Sequence, residues 1–154
     1  MKKLLVASFL SVGLLFAYNP LEGVKAQKEA ALKIVGNHFV TVKTLKEWLK
    51  NKKAKVVDVR EIDEWLAGHI KGSIFIPRGK LYAGVKKRIL KPDNTYVLVC
   101  RTGHRALLAA ATLMKWYKFK KVYVLKGGIK AWIKNKEVLE NALHLGPVKI
   151  ELVK

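Results

Sequence analysis

The sequence predicts an α/β fold in which a parallel central sheet is flanked by helices on both faces. Strand-like and helix-like segments alternate along the 154 residues, and this order is typical of strand–helix–strand units. The predicted strands are nearly continuous apolar runs, as expected for strands that are buried on both faces. The length is sufficient for one domain with its own core and too short for two.

The first half of the chain is predicted to contain three strands and three helices. Runs rich in valine and isoleucine predict the strands, and the sequence TLKE at 44–47 has the spacing of a capping box at a helix start. Pro92 is expected to end the third helix, because proline cannot continue one. The elements are a strand at 38–42, a helix at about 45–51, a strand at 55–59, a helix at 61–66, a turn at 68–72, a strand at 73–76 and a helix at 81–90.

The second half continues the alternation. It is predicted to contain a strand at 95–99, a helix at 105–117, a strand at 121–125 and a helix at 129–135. These elements complete one predicted domain over 36–136. The remaining residues, 137–154, form a predicted C-terminal tail, of which 148–153 has the composition of a strand.

The only cysteine, Cys100, lies at the end of the predicted strand and opens the sequence CRTGHR at 100–105. A thiol placed in a glycine-containing loop before a helix is close to loop N–H groups and to the positive end of the helix dipole. Both stabilise a thiolate, as do nearby arginines. In parallel sheets, ligands bind beyond the carboxyl ends of the strands, where Asp58 and Arg60 are also expected. The pattern predicts an enzyme that uses a cysteine thiolate on an anionic substrate.

The amino-acid composition limits the kinds of site and partner that the protein can have. A single cysteine excludes an internal disulfide and any metal site built on several cysteines. The chain carries 31 Lys and Arg against 11 Asp and Glu, a net charge of +20, which favours anionic partners. The lysines are scattered and no nucleic-acid-binding motif is found, so we expect no nucleic-acid partner.

The N-terminus has the pattern of a secretory signal peptide over 1–26. A basic start is followed by an uncharged, mostly apolar run at 4–18, which is short for a membrane span. Cleavage after Ala26 would leave 28 positive and 10 negative side chains, a net charge of +18. The segment 27–35 is predicted to be a linker rich in lysine and alanine, with a short helix as the alternative. We expect export, to the periplasm in a cell with two membranes; an uncleaved N-terminal anchor is the alternative.

Three sequence motifs flank Cys100, two before it and one after it. They are VVDVR at 56–60, EWLAGHIKGS at 64–73 followed by Ile76-Pro77, and VYVLKGGIKAW at 122–132. Together they resemble a single-domain rhodanese, and the cysteine loop lies between the second and third motifs as it does in that family. The resemblance covers roughly 35–135 and implies a rhodanese-like α/β domain.

The resemblance also implies a sulfurtransferase. In such an enzyme the thiolate takes a sulfane sulfur from thiosulfate or polysulfide, forms a persulfide, and passes the sulfur to an acceptor such as cyanide, a thiol or a reductase. Within the family, the chain is most similar to periplasmic polysulfide-sulfur transferases. That similarity implies a homodimer and a membrane reductase as acceptor, and no metal or other cofactor is expected.

By the same resemblance Cys100 is the catalytic nucleophile. Asp58 is expected to orient the loop or an arginine, although Arg60 could also be a structural partner of Asp58, Glu61 or Glu64. His104 is expected to be a loop residue. The residues expected to contact the substrate are Arg60, Arg78, Arg101, Thr102, Gly103, His104 and Arg105.

Other functions remain open from the sequence. A cysteine phosphatase or arsenate reductase would have five residues between cysteine and arginine, whereas four separate Cys100 from Arg105. A persulfide carrier that serves one protein partner without turning over small acceptors would have the same loop. A third alternative is polyanion binding through the basic surface, which would not require Cys100 and would depend steeply on salt.

Overall fold

The computed structural model describes residues 20–141 and 147–148. The elements are α1 (Pro20–Val35), β1 (Phe39–Val40), α2 (Val42–Lys50), β2 (Lys55–Asp58), α3 (Ile62–Ala67), β3 (Ile74–Phe75), a 3₁₀ turn (Arg78–Lys80), α4 (Leu81–Lys86), β4 (Tyr96–Val99), α5 (His104–Tyr117), β5 (Val122–Leu125), α6 (Gly128–Lys134), β6 (Leu139–Glu140) and β7 (Pro147–Val148). Of the signal peptide predicted at 1–26, residues 1–19, which include the apolar run at 4–18, lie outside the described residues.

Five strands form one parallel sheet in the order β1-β5-β4-β2-β3. The strand that carries the cysteine is therefore central, with β2 on one side and β5 on the other. All four residues of β4 are buried, which explains its continuous apolar sequence. The carboxyl ends of β2 and β4 are adjacent because Asp58 pairs with Val99.

Helices cover both faces of the sheet, so the predicted fold class is confirmed. One core cluster includes α1, α5 and the inward residues Val57 and Leu98 of the sheet. The other cluster includes α2 and α6, with Leu45 and Trp132 packed against the opposite face. The alternation of side chains along each strand divides the apolar residues between the two clusters.

Helix α1 occupies the segment that the sequence predicted to be a linker. Residues 27–35 are the second half of this helix, and α1 packs along α5. Ala31 and Val35 are buried in the core cluster of that face, so the segment is part of the packed domain. The four-residue spacing of Ala31 and Val35 fits one face of a helix, but Lys33 between them and two lysines before them made the segment resemble a solvated linker. Cleavage after Ala26, which stays a prediction, would fall inside α1.

Three other predicted boundaries differ. β1 is only two residues long, and α2 begins three residues earlier than predicted because Thr41, rather than Thr44, is its N-cap. The Thr41 hydroxyl accepts a hydrogen bond from the Thr44 N–H at 3.2 Å. α4 ends at Lys86, before a left-handed residue at Arg88 with φ of 56°. The predicted helix at 81–90 was therefore too long.

The predicted tail begins with a short antiparallel pair, β6 with β7. Glu140 also forms a two-way backbone bridge with His69, with both N–H···O distances at 2.8 Å. This bridge attaches the start of the tail to the turn before β3. Of the strand predicted at 148–153, all but Val148 lies outside the described residues. Within the part of the chain that the structure describes, no helix is long and apolar enough to cross a membrane.

Candidate active site

Cys100 follows β4 directly and is 1% exposed. Its Sγ accepts two backbone N–H groups, from Gly103 at 3.1 Å and from Ala106 at 3.4 Å. Both donors lie at the start of α5, a fourteen-residue helix. The sulfur therefore lies where amide dipoles and the helix dipole stabilise negative charge, as the sequence predicted.

Two glycines hold the loop in its shape. Gly103 has φ of 105°, a conformation that residues with a side chain rarely adopt. At Gly128 the backbone of α6 lies against the loop, and an added Cβ would meet the Cys100 carbonyl oxygen and lie 2.8 Å from the Arg101 carbonyl carbon. The close approach allows the Ile129 N–H to donate to the Cys100 carbonyl at 2.8 Å. The first turn of α6 therefore packs against the cysteine loop and holds its backbone in place.

Arg105 is held by Glu64 of α3. Its two terminal nitrogens donate to the two carboxylate oxygens at 2.6 and 2.7 Å. This is the bidentate geometry in which arginine binds carboxylates most strongly. The two side chains are 32% and 27% exposed, so solvent weakens the pair but does not separate it. The arginine predicted to bind substrate is already engaged with a carboxylate.

The pair changes the protonation equilibria of both partners. The hydrogen bond from Arg105 lowers the pKa of Glu64 below its ordinary value, against an opposing contribution from burial. The hydrogen bond to Glu64 raises the pKa of Arg105, and charge on Cys100 raises it further.

Asp58 and Arg60 form a second, buried pair. The Arg60 Nε donates to both carboxylate oxygens at 2.9 and 3.0 Å, and Nη2 donates to Asp58 at 2.6 Å and to the Gly68 carbonyl at 2.7 Å. The Arg60 side chain is 7% exposed and the Asp58 side chain is 0% exposed. Arg60 is thus the structural partner of Asp58, the alternative that the sequence left open. Asp58 orients this arginine, which in turn links β2 to the end of α3.

The other two predicted arginines are both exposed but lie in different places. Arg78 begins the 3₁₀ turn and lines a groove between α1 and α5 together with Trp116, and its backbone N–H donates to the carbonyl of Val59, just after β2. Arg101 lies in the loop itself, and no ion pair holds its side chain among the described residues. Arg101 is therefore better placed than Arg78 or Arg60 to attract an anion to Cys100.

Thr102, Gly103 and His104 form one wall of a cavity of about 710 Å³ beside the loop. His104 is the first residue of α5, and its Nε2 is buried without a hydrogen-bond partner among the described residues. These three predicted substrate contacts thus line the cavity. In the part of the chain that the structure describes, no group of three or more His, Cys, Asp or Glu residues is arranged to hold a metal ion.

The sequence did not assign three residues that complete the site: Glu64, Ala106 and Gly128. Glu64 was proposed only as a partner for Arg60, since both are close in sequence. The contribution of Ala106 is a backbone N–H, which its side chain does not reveal. Gly128 belongs to a Gly-Gly pair before a helix, and this signal predicted a turn but not a contact with the cysteine loop.

Comparison with known proteins agrees with the fold. The family model described as "Rhodanese-like domain" matches residues 41–135. The protein named "Probable adenylyltransferase/sulfurtransferase MoeZ" from Mycobacterium tuberculosis is 38% identical over 96 residues, which are 62% of this chain and 24% of that protein. "Thiosulfate sulfurtransferase GlpE" from Stutzerimonas stutzeri is 32% identical over 84 residues, covering 54% of this chain and 74% of GlpE.

Solved structures include a protein of unknown function from Rhodopseudomonas palustris, described as a "Possible Tyrosine Phosphatase". This chain aligns with it at a TM-score of 0.66 and 28% identity, and the alignment covers 77% of this chain and 94% of that one. The chain belongs to the rhodanese-like family, and sulfurtransferases are among its relatives. The match to MoeZ spans about a quarter of that protein's length.

Proposed function

We propose that this protein transfers sulfane sulfur from thiosulfate or polysulfide to a thiophilic acceptor through a persulfide on Cys100. The observation that carries the proposal is the position of Sγ, which accepts N–H groups from Gly103 and Ala106 at the start of α5. A thiolate and a persulfide are both anionic, and both gain from these donors. A relative named as a thiosulfate sulfurtransferase supports thiosulfate as one donor.

Each half-reaction is a displacement at sulfur. The Cys100 thiolate attacks the outer sulfur of thiosulfate, the donor S–S bond breaks, and sulfite leaves with the electron pair. An acceptor such as cyanide then attacks the outer sulfur of the persulfide. Thiocyanate departs and the thiolate is restored, so no external oxidant or reductant is consumed.

The geometry argues against the phosphatase alternative. A phosphatase arginine must be available to bind the oxygens of the transferred group, but both terminal nitrogens of Arg105 are bound to Glu64. The loop also has one residue fewer than a phosphatase loop would require. Sulfur transfer from a small donor demands less of the loop, because a single sulfur atom must be accommodated beside Sγ.

The test is intact mass measurement of the full-length chain after exposure to thiosulfate or polysulfide, followed by cyanide. We expect mass added in units of one sulfur atom, and catalytic release of thiocyanate, neither of which should occur in Cys100→Ala. Sulfur that loads but is not discharged to cyanide would indicate a carrier that needs a protein partner. Absence of loading would contradict the persulfide mechanism and would direct attention to phosphate and arsenate esters.

Export to the periplasm, a homodimer and a membrane reductase as acceptor belong to the same proposal. The basic start and apolar run before Pro20 support export, while the dimer and reductase rest on the resemblance to polysulfide-sulfur transferases. Sequencing the N-terminus of protein recovered from the producing cell would test cleavage after Ala26. Recovery of an intact N-terminus in the membrane fraction would favour an anchor instead.

A further inference from the structure

A groove of about 280 Å³ lies between α1 and α5 on the face of the sheet that these helices cover. Each helix lines it with residues three or four positions apart, which is the spacing of one helix face. Alanines supply much of its wall, namely Ala30 and Ala31 of α1 and Ala111 of α5. The groove is therefore apolar and runs alongside two helices.

The most exposed aromatic side chain of the described residues lies at this groove. Trp116 lines it and is 69% exposed, and the Lys115 Nζ lies 4.9 Å from the centroid of the Trp116 ring. Ile34 of α1, also partly exposed, lines the same groove. Tryptophan is well buried on average, whereas tryptophan and arginine are enriched where proteins bind partners. An exposed tryptophan beside an apolar groove thus indicates a surface that a partner covers.

The charges at the groove have one sign. Arg78 and Lys115 line it, and neither is in an ion pair within the part of the chain that the structure describes. Among the described residues that line it none is acidic, and α5 contains no acidic residue. Glu22 and Glu29 of α1 do not line it. Charge complementarity therefore favours a partner surface that combines apolar side chains with carboxylates.

One end of the groove lies near the edge of the sheet that carries the cysteine. The Arg78 N–H donates to the Val59 carbonyl at 3.2 Å, and the Val59 N–H donates to the Val99 carbonyl at 2.9 Å. Val99 directly precedes Cys100. Hydrogen-bonded backbone segments in a sheet are about 4.8 Å apart, so the Arg78 backbone lies roughly 10 Å from the strand that carries the cysteine. A partner seated in the groove would extend toward the active-site edge.

We propose that this groove docks an acidic amphipathic helix of a protein partner, and that the partner exchanges sulfur with Cys100. A helix seated in a groove inserts apolar side chains spaced three or four residues apart. The groove is smaller than the range of roughly 300–1,000 Å³ typical of organic ligands, so it suits a few inserted side chains. Helix α1, which forms one of its walls, precedes the matched range 41–135. Docking rests on the groove alone, whereas the exchange rests on the proposed function.

The exchange is a displacement at sulfur. A thiol of the partner attacks the outer sulfur of the Cys100 persulfide, and the bond between that sulfur and Sγ breaks. The electron pair returns to Sγ as the thiolate, and the thiol proton passes to the transferred sulfur. The partner leaves as a persulfide, so atoms, charge and electrons balance without a further reactant.

Binding is tested first, by fluorescence anisotropy of a labelled leucine–glutamate helical peptide of about eighteen residues titrated with the full-length chain. Affinity should fall about tenfold in Lys115→Glu. Lys33→Glu is the matched control, because Lys33 is also in the last turn of its helix but does not line the groove. It should change the affinity less than about twofold. Equal weakening in both variants would refute a defined groove site, as would equal binding of a leucine–lysine peptide.

The apolar part of the site is tested with Trp116→Ala, which should weaken peptide binding about tenfold. Tyr82→Ala is its control, because Tyr82 is 61% exposed and also has a lysine, Lys86, near its ring, but it does not line the groove. Two results would refute a helical partner if the peptide does not bind. Binding to phosphatidylglycerol vesicles that Trp116→Ala abolishes would assign the groove to a membrane. Self-association that Trp116→Ala abolishes would assign it to a second copy of the chain.

Sulfur exchange is tested next, with the same peptide carrying one cysteine at its end as the acceptor. Transfer from the thiosulfate-loaded chain, followed by the mass of the peptide, should slow about tenfold in Trp116→Ala, while thiocyanate formation from cyanide stays unchanged. Equal transfer rates in the parent chain and Trp116→Ala, with cyanide turnover intact, would refute the exchange role of the groove. Peptide binding without sulfur loading from any donor would refute the proposed function, and the exchange with it, but not docking.

Discussion

The Arg105–Glu64 pair gives the sharpest prediction about donor binding. Arg105→Ala removes a positive charge and leaves the Glu64 carboxylate without its two hydrogen bonds. An anionic donor would then lose an attraction and meet an uncompensated negative charge near the loop. We expect kcat/KM for thiosulfate to fall about tenfold, which corresponds to about 1.4 kcal/mol.

Two effects contribute to this loss: the missing Arg105 charge and the exposed Glu64 carboxylate. If half of it arises from the exposed Glu64 charge, the double variant Arg105→Ala/Glu64→Gln should lose only about threefold, or about 0.7 kcal/mol. The pair is about a third exposed, so its direct contribution to stability should be below about 1 kcal/mol. Urea denaturation of the single and double variants would verify that kinetic losses do not come from unfolding.

The assay is steady-state thiocyanate formation at low and at high ionic strength. Because both side chains are partly solvated, the loss in Arg105→Ala should shrink as salt screens the charges. If the double variant were no faster than Arg105→Ala, repulsion by Glu64 would not be the cause. Unchanged kinetics in the single variant would remove Arg105 from donor binding altogether.

Three further predictions concern stability and its pH dependence. Gly128→Ala should lower the free energy of unfolding by on the order of 2–4 kcal/mol, because the new Cβ would meet the loop carbonyls at a residue with φ of 60°. Gly36→Ala should lower it by only about 1–2 kcal/mol, because Gly36 is also left-handed but a Cβ there would lie in open space. Arg60→Ala would leave Asp58 buried and unpaired, so urea denaturation should show a loss of about 3–5 kcal/mol. The pKa of Glu64 is lower in the folded chain than its ordinary value of 4.5, so the unfolded chain binds the proton more readily. The stabilising effect of the Glu64 carboxylate is therefore present above pH 4.5 and is lost as pH falls through the lowered folded pKa. The stability difference between the parent chain and Glu64→Gln should therefore be present at neutral pH and vanish in acid.

Each of these predictions has a clear contrary result. Equal losses in Gly128→Ala and Gly36→Ala would mean that the loop contact is relieved without cost. A raised donor KM in Arg60→Ala at unchanged stability would return that arginine to the substrate site. A stability difference between the parent chain and Glu64→Gln that grows in acid would show that Glu64 binds its proton more tightly in the folded chain than in the unfolded one.

The sequence predicted the fold well because the sheet is buried on both faces. Such strands must be apolar throughout, and four of the five were found within a few residues of their observed bounds. β1 was overestimated, since a two-residue edge strand has too short a pattern to delimit. α1 was missed as a packed helix, because only Ala31 and Val35 of its residues are buried and its many lysines resemble those of a solvated linker.

The candidate site was predicted less completely, because charge pairing depends on distance in space. Glu64 is three residues from Glu61 and four from Arg60 in sequence, yet its partner is Arg105, 41 positions away. Arg60 lies just after β2 and Arg105 lies in the first turn of α5, both at the carboxyl edge of the sheet. The sequence could not decide which arginine would pair with which carboxylate. The path of α3 decides it, by carrying Glu64 toward the start of α5.

This pairing changes how an anion would be attracted to the loop. Asp58 and Glu64 each hold one arginine, so neither carboxylate repels an approaching donor, and neither arginine is an unengaged cation. The remaining positive charge near the loop comes from the exposed Arg101 and from Lys28 and Lys126, which line the cavity beside the loop. Attraction of this kind is spread over several solvated groups, and it should accelerate encounter and weaken with salt. The backbone N–H groups at Sγ are fixed and buried, so stabilisation of the sulfur anion should persist at ionic strengths that abolish the attraction.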